Sequence, residues 1–294
     1  MDAKNTLSER YARVKQRIAD AAVRARRRPE EIILVAVTKT AEPEQIRTLL
    51  ELGHRDFGEN RVQRLAQRAS MVREWFDRVR VLERTGNSPD GSRAGQILMS
   101  GKPEGEGTLA GPARWHLIGH LQRNKVRRAV EHARLIHSID SLRLVEDLQV
   151  FADRRDRPID VLIQVNCSGE SSKFGCPVPA ALPLAEQIDT MVNVRVRGLM
   201  TMAPYSDNPE DARPVFSRCY DLFQEVRRAG IAEGRFNLLS MGMTDDFEVA
   251  IEEGANIVRV GRAIFGESEH PEPADVDAES DEDSSDSQAE TASA

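Results

Sequence analysis

The sequence contains no CxxC pair and no even-numbered cysteine framework. Its three cysteines, Cys167, Cys176 and Cys219, are an odd count without metal spacing, which speaks against a disulfide scaffold and fits reduced thiols in the cytoplasm. Long apolar runs are missing too. No stretch approaches the length of a membrane span, and the polar start Met1-Asp2-Ala3-Lys4-Asn5 carries no secretory pattern. The six histidines show no metal-ligand grouping beyond His116 and His120, a pair on a strand-to-loop passage that reads as packing and rim chemistry. The interleaving of basic and aromatic residues that nucleic acid demands is also lacking. What remains is a chain of 294 residues, 40% hydrophobic and 30% charged, ample for one large core.

Two segments stand apart in composition. Residues 267–294 hold 11 acidic side chains and neither Lys nor Arg, so this tail is expected to be disordered. With those 11 set aside, 41 basic residues face 37 acidic ones. The formal charge of −7 therefore belongs to the tail, and residues 1–266 carry a small positive excess that suits an anionic small ligand. Residues 84–114 contain seven of the 19 glycines and three prolines. They read as a flexible insertion on the side of the fold away from its chemistry.

Between these segments the chain alternates strand and helix. Apolar runs at 31–39, 55–58, 115–119, 134–139, 160–166, 194–202, 235–240 and 256–260 predict eight strands, each but the last followed by a helical pattern. Strict alternation of this number within one domain predicts a (β/α)8 TIM barrel over an open doubly wound sheet. An extra helix precedes the first strand, with Thr6 and Glu9 spaced as a capping box and Leu7, Tyr11, Val14, Ile18 and Ala22 as its apolar stripe. Ser141 is placed as the cap of the helix carrying Leu142, Val145 and Leu148.

In such a barrel, the C-terminal ends of the strands form the reactive rim, and loops after the seventh and eighth strands hold phosphate. Lys39 ends the first strand. Ser240-Met241-Gly242-Met243-Thr244 follows the seventh and Gly261-Arg262 the eighth. Small residues there let the backbone approach phosphate oxygens, and helix N-termini favour negative charge.

The segments Val37-Thr38-Lys39, Phe57-Gly58-Glu59-Asn60-Arg61-Val62-Gln63, Trp115-His116-Leu117-Ile118-Gly119-His120-Leu121-Gln122, His137-Ser138-Ile139-Asp140, Leu239-Ser240-Met241-Gly242-Met243-Thr244-Asp245-Asp246 and Val258-Arg259-Val260-Gly261-Arg262-Ala263-Ile264-Phe265-Gly266 resemble the pyridoxal phosphate homeostasis protein family. The match runs in order across residues 5–266. The resemblance implies a fold-type III barrel like the N-terminal domain of alanine racemase, with pyridoxal 5'-phosphate held as a Schiff base on Lys39. It also implies that Asn60 borders the cofactor, that Ser240, Met241, Gly242, Thr244, Gly261 and Arg262 hold its phosphate, and that Arg259 faces the pyridine nitrogen. Lys39 must react as a neutral amine, which calls for burial or nearby cations such as Arg259 or Arg262.

Two functions of different class follow. One is a non-catalytic carrier, a monomer that buffers pyridoxal phosphate and delivers it to apo forms of enzymes using that cofactor, without membrane or nucleic acid. The other is a fold-type III amino-acid racemase or decarboxylase. Fold-type III racemases complete their site with a second, β-rich domain and a partner's tyrosine, and the 28 residues after Gly266, 11 of them acidic, are not expected to supply such a domain. Of the tyrosines, Tyr205 lies near enough to the sixth strand to reach the mouth, with loop packing as its expected role. A Schiff-base aldolase would use Lys39 and the phosphate loops but leave Asn60 and Arg259 unexplained. The carrier is the preferred reading.

Overall fold

Thr6 and Glu9 form the anticipated capping box. The Thr6 hydroxyl accepts from the Glu9 amide at 3.3 Å and the Glu9 carboxylate accepts from the Thr6 amide at 2.8 Å, which satisfies two amides that a helix start otherwise leaves open. Helix α1 (Leu7–Arg24) then buries Tyr11, Val14, Ile18, Ala21 and Ala22 along one stripe. The computed structural model describes residues 6–84, 113–154, 158–170 and 173–266. The expectations for residues 85–112 and for the acidic tail, 267–294, lie outside the described residues.

The strands are β1 (Ile33–Val37), β2 (Asp56–Glu59), β3 (Arg114–Leu117), β4 (Leu135–Ile139), β5 (Ile159–Asn166), β6 (Cys176–Pro177), β7 (Val194–Met200), β8 (Leu238–Ser240) and β9 (Ile257–Val260). All but β6 join one parallel ring: β1 pairs with β2 and β9, the series runs through β3, β4, β5, β7 and β8, and the β4–β5 pairing closes it. The fold is a (β/α)8 barrel. The two-residue β6, absent from the sequence reading, extends the end of β5 through Val165↔Cys176 and Asn166↔Pro177.

The connecting helices are α2 (Pro43–Glu51), α3 (Val62–Arg84), α4 (Val126–His132), α5 (Leu142–Ala152), α6 (Ala181–Asp189), α7 (Arg213–Arg228), α8 (Phe247–Glu252) and α9 (Arg262–Phe265). Ser141 does stand at the N-cap of α5, yet its side chain makes no capping hydrogen bond.

Apolar packing occupies two shells. Leu49, Leu50, Phe57, Leu65, Phe216 and Phe247 belong to the layer between strands and helices, while Val35, Leu135, Leu162, Met200 and Ile257 form a separate small cluster. At the N-terminal ends of the strands, Asp56 pairs with Arg114, and Asp160 with Arg134 and Arg197. All three cysteines are buried and unpaired by disulfides. Helix α1 is strapped over the last units of the barrel: Arg10 donates to the Ile264 carbonyl at 2.8 Å, Arg17 pairs with Glu248, and Arg27 donates to the carbonyls of Ile251 and Ala255. Among the described residues, no helix is long and apolar enough to cross a membrane.

His54 shows how the packing meets pH. It lies between Tyr11 and Phe57, its Nε2 2.7 Å from the Asp56 carbonyl and its Nδ1 3.3 Å from the Tyr11 hydroxyl. A carbonyl only accepts, so Nε2 carries a hydrogen. Burial lowers this imidazole from 6.5 to about 4. Between those values, the unfolded chain binds more protons than the folded one, so stability is full above pH 6.5 and falls as pH drops through the window. The expected loss by pH 4 is about 3 kcal/mol. Urea unfolding from pH 7 to 4 should show a smaller decline for His54→Gln than for the unaltered protein, and equal declines would contradict the assignment.

Candidate functional site

A cavity of about 2160 Å³ opens where the strands end. That exceeds the 300–1,000 Å³ of ordinary ligand pockets. Six of the nine residues singled out in the sequence line it: Lys39, Asn60, Thr244, Arg259, Gly261 and Arg262. Ser240, Met241 and Gly242 lie behind the wall. The Met241 side chain is fully buried in the layer under the helices, and its amide is bonded to the Ile257 carbonyl. Successive strand residues face opposite sides, so when Ser240 turns inward its neighbour must turn out.

Lys39 sits two residues beyond β1 and is exposed at the mouth. Of the two environments expected to prepare its amine, burial is therefore not the one present. Its backbone is held from α3. Arg64 donates to the Lys39 carbonyl at 2.5 Å, and Arg68 donates to the carbonyls of Thr38 and Ala41. Arg68 also meets the buried Glu59 carboxylate at 3.1 Å, and the Thr38 hydroxyl donates to the same oxygen at 2.5 Å. Burial raises the Glu59 carboxyl despite these two partners. The sequence reading missed this clamp, although Arg64 and Arg68 stand four residues apart and so share a helix face.

Asn60 follows β2, and its Oδ1 is buried without a partner among the described residues. Its backbone is fixed by contact with the loop after β3, where a Cβ on Gly119 would lie 2.1 Å from the Asn60 carbonyl oxygen. Only glycine allows that approach. An acceptor held this firmly with nothing to accept from is what a ligand's hydroxyl would satisfy.

Arg259 is buried at 3% exposure. Its guanidinium donates to the Ser240 hydroxyl at 2.5 Å and to the Thr201 carbonyl at 2.9 Å, and its own amide donates to the Gly242 carbonyl. Burial lowers it to about 10, with Asp246 and Cys219 opposing, so it is cationic at neutral pH. Arg262, by contrast, is engaged at the rim by Asp245 at 2.5 Å. The two histidines of the Trp115 to Gln122 segment part company. His116 is buried in the barrel, whereas His120 stacks on Phe174 at 4.6 Å on the rim. No group of three His, Cys, Asp or Glu among the described residues could hold a metal. Tyr205 is 78% exposed at the mouth and donates to Asp207, which overturns its expected packing role.

The barrel brings a lysine, a buried guanidinium and glycine loops to one mouth, and the family model described as alanine racemase, N-terminal domain, matches residues 11–269. The pyridoxal phosphate homeostasis protein of Aquifex aeolicus is 36% identical over 266 residues, covering 89% of this chain and 98% of that protein. An unknown protein from Bifidobacterium adolescentis has a crystal structure with TM-score 0.73 and 33% identity, over 88% of this chain and 94% of that one. PipY of Synechococcus elongatus, solved with PLP bound, gives TM-score 0.60 and 30% identity, over 85% of this chain and all of that one. The chain belongs to the pyridoxal phosphate homeostasis protein family.

The turn after β8 gives a test of this wall. Gly242 has φ +88°, and a Cβ there would lie 2.7 Å from Ala250 Cβ and 2.8 Å from Phe247 Cα. Gly230 has φ +81° with nothing within 4 Å. Gly230→Ala should cost about 1–2 kcal/mol of backbone strain, and Gly242→Ala should lose a further 1 kcal/mol or so from overpacking. Urea unfolding of both variants measures the difference, and equal losses would show that the turn can widen.

Proposed function

We propose that this chain holds pyridoxal 5'-phosphate at the barrel mouth, as a Schiff base on Lys39, and serves its homeostasis by keeping and releasing it without robust catalysis. The cofactor is pyridoxal phosphate, in line with the relatives' names and with PipY. The residues present fit it. Bound there, it supplies an aldehyde for an amine and a pyridine ring that withdraws electrons best when its nitrogen is protonated. Lys39 supplies the amine, presented by the α3 clamp. Asn60 offers its unmet acceptor, and the turns at Gly242 to Thr244 and Gly261-Arg262 take the phosphate. The protein acts as a monomer in the cytoplasm, and its partners are apo enzymes that use the same cofactor.

Arg259 carries the reading. A buried cation whose hydrogen-bond partners are both uncharged is suited to meet a ring nitrogen as a donor and to keep it unprotonated. Binding is then firm and electron withdrawal weak. The alternative, an amino-acid racemase or decarboxylase, would look to Tyr205 for an acid or base at the mouth, and that hydroxyl is given to Asp207.

Two measurements test the proposal. Lys39→Ala should abolish borohydride-trapped cofactor while changing stability by no more than about 0.5 kcal/mol, as for an exposed side chain. Peptide mapping that found the trapped cofactor on Lys125 or Lys173 instead would refute the assignment. The loaded protein in heavy water should exchange the α-hydrogen of amino acids far more slowly than ordinary enzymes turn over. Wash-in of deuterium at on the order of 1 s⁻¹ or faster would establish an enzyme.

A further inference from the structure

Four polar contacts cross the barrel interior from the foot of β2, by way of the end of β8, to Arg259 on β9. Asp56 Oδ1 lies 3.1 Å from His116 Nε2, His116 Nδ1 lies 2.9 Å from His137 Nε2, and His137 Nδ1 lies 3.0 Å from Ser240 Oγ. Ser240 Oγ is 2.5 Å from Arg259. Neither His116 nor His137 lines the cavity. Both are buried, and so is Ser240. We propose that Asp56, His116 and His137 are positioning residues: they fix the direction of the Ser240 hydroxyl and thereby hold the Arg259 guanidinium in place at the cavity.

The two ends set the direction of the chain. Arg259 can only donate, and an ionised Asp56 can only accept. Burial would raise the Asp56 carboxyl, but hydrogen bonds from Arg114 and His116 outweigh it and keep it well below the usual carboxylate range. Arg114 grips both Asp56 oxygens, at 2.7 and 2.5 Å. Asp56 takes a hydrogen from His116 Nε2, and with both rings neutral each group hands one hydrogen on, so Ser240, which receives the Arg259 N–H on one lone pair, gives its own hydrogen to His137 Nδ1. That nitrogen accepts, so His137 carries its hydrogen on Nε2 and donates to His116 Nδ1. His116 in turn carries its hydrogen on Nε2 and donates to Asp56. Three neutral groups and one guanidinium supply one hydrogen to each of the four contacts, and none is left over.

A proton added to His137 would break this order. Nδ1–H would take the second lone pair of the Ser240 hydroxyl and turn that hydroxyl's own hydrogen out of the chain, and two cations would share the interior. Burial and the Arg259 charge disfavour it, and His137 is held well below its ordinary value. Nor does the chain conduct protons to the site, since a guanidinium does not release one at working pH. It orients. A hydroxyl free to turn could present its hydrogen to Arg259 and push the cation away; here that rotation would leave His137 without a donor.

The inference about hydrogen positions stands on the protein alone; its consequence for cofactor binding rests on the proposed function. Protein labelled with nitrogen-15 in histidine, without cofactor, is examined by two-bond nitrogen–proton correlation at pH 7, with rings assigned through their side-chain carbons. Both His116 and His137 should be neutral with hydrogen on Nε2. Hydrogen on Nδ1 in either ring, or double protonation, would overturn the proposal without any variant having to fold. In a second experiment, pyridoxal phosphate is titrated into Ser240→Ala and Ser240→Thr. Loss of a hydrogen bond to a charged group should weaken binding by about tenfold or more in Ser240→Ala, and Ser240→Thr, which keeps the hydroxyl, should restore most of it. Equal affinity in Ser240→Ala and the unaltered protein would also overturn it. An unaltered protein that bound no pyridoxal phosphate would refute the functional reading and with it the consequence for binding, while the tautomers alone would still decide the relay.

Discussion

A positive charge buried inside the barrel is the constraint on which the site depends. Moving a guanidinium out of water costs several kcal/mol unless its donors are met, and β9 places Arg259 where water cannot meet them. The end of β8 supplies the Ser240 hydroxyl and the segment after β7 supplies the Thr201 carbonyl. Three consecutive strands must therefore end at matched heights. A barrel with a slipped register would separate the charge from its acceptors.

The opposite side of the mouth is held by a different device. Lys39 stands on a turn whose carbonyls are gripped by Arg64 and Arg68, so a flexible, exposed amine rises from a rigid base. Glu59, buried beneath that turn, ties Arg68 to Thr38. Order is concentrated in backbone and arginine, and freedom is left to the lysine side chain. Such a division suits a group that must reach toward a ligand and then let go of it.

Much of this was legible in the sequence where the information is local. Apolar runs located the eight barrel strands, the Thr6 and Glu9 spacing marked the first helix, and Lys39 at a strand end pointed to the rim. Alternation would also have placed Met241 outward had it been applied to a three-residue strand. Contacts between distant segments were not legible: nothing at positions 56, 116, 137 and 240 announces that they meet in a line. Ser141 shows a further limit, since a capping residue type in the right place need not make the capping hydrogen bond. Tyr205 shows another, because exposure is decided by neighbours that arrive from elsewhere in the chain.

The strap of α1 across the last two units has a consequence for how the protein is made. Strand β1 pairs with β9 through Ile33↔Ile257 and Val35↔Arg259, so the lysine and the buried arginine meet only when residues more than two hundred positions apart have joined. Contacts of such range are slow to form because a long loop must close first. A nascent chain on the ribosome thus carries its amine long before it has the guanidinium that accompanies it. The pocket is created by the closing of the ring, and any ligand that requires both residues is admitted only to finished protein.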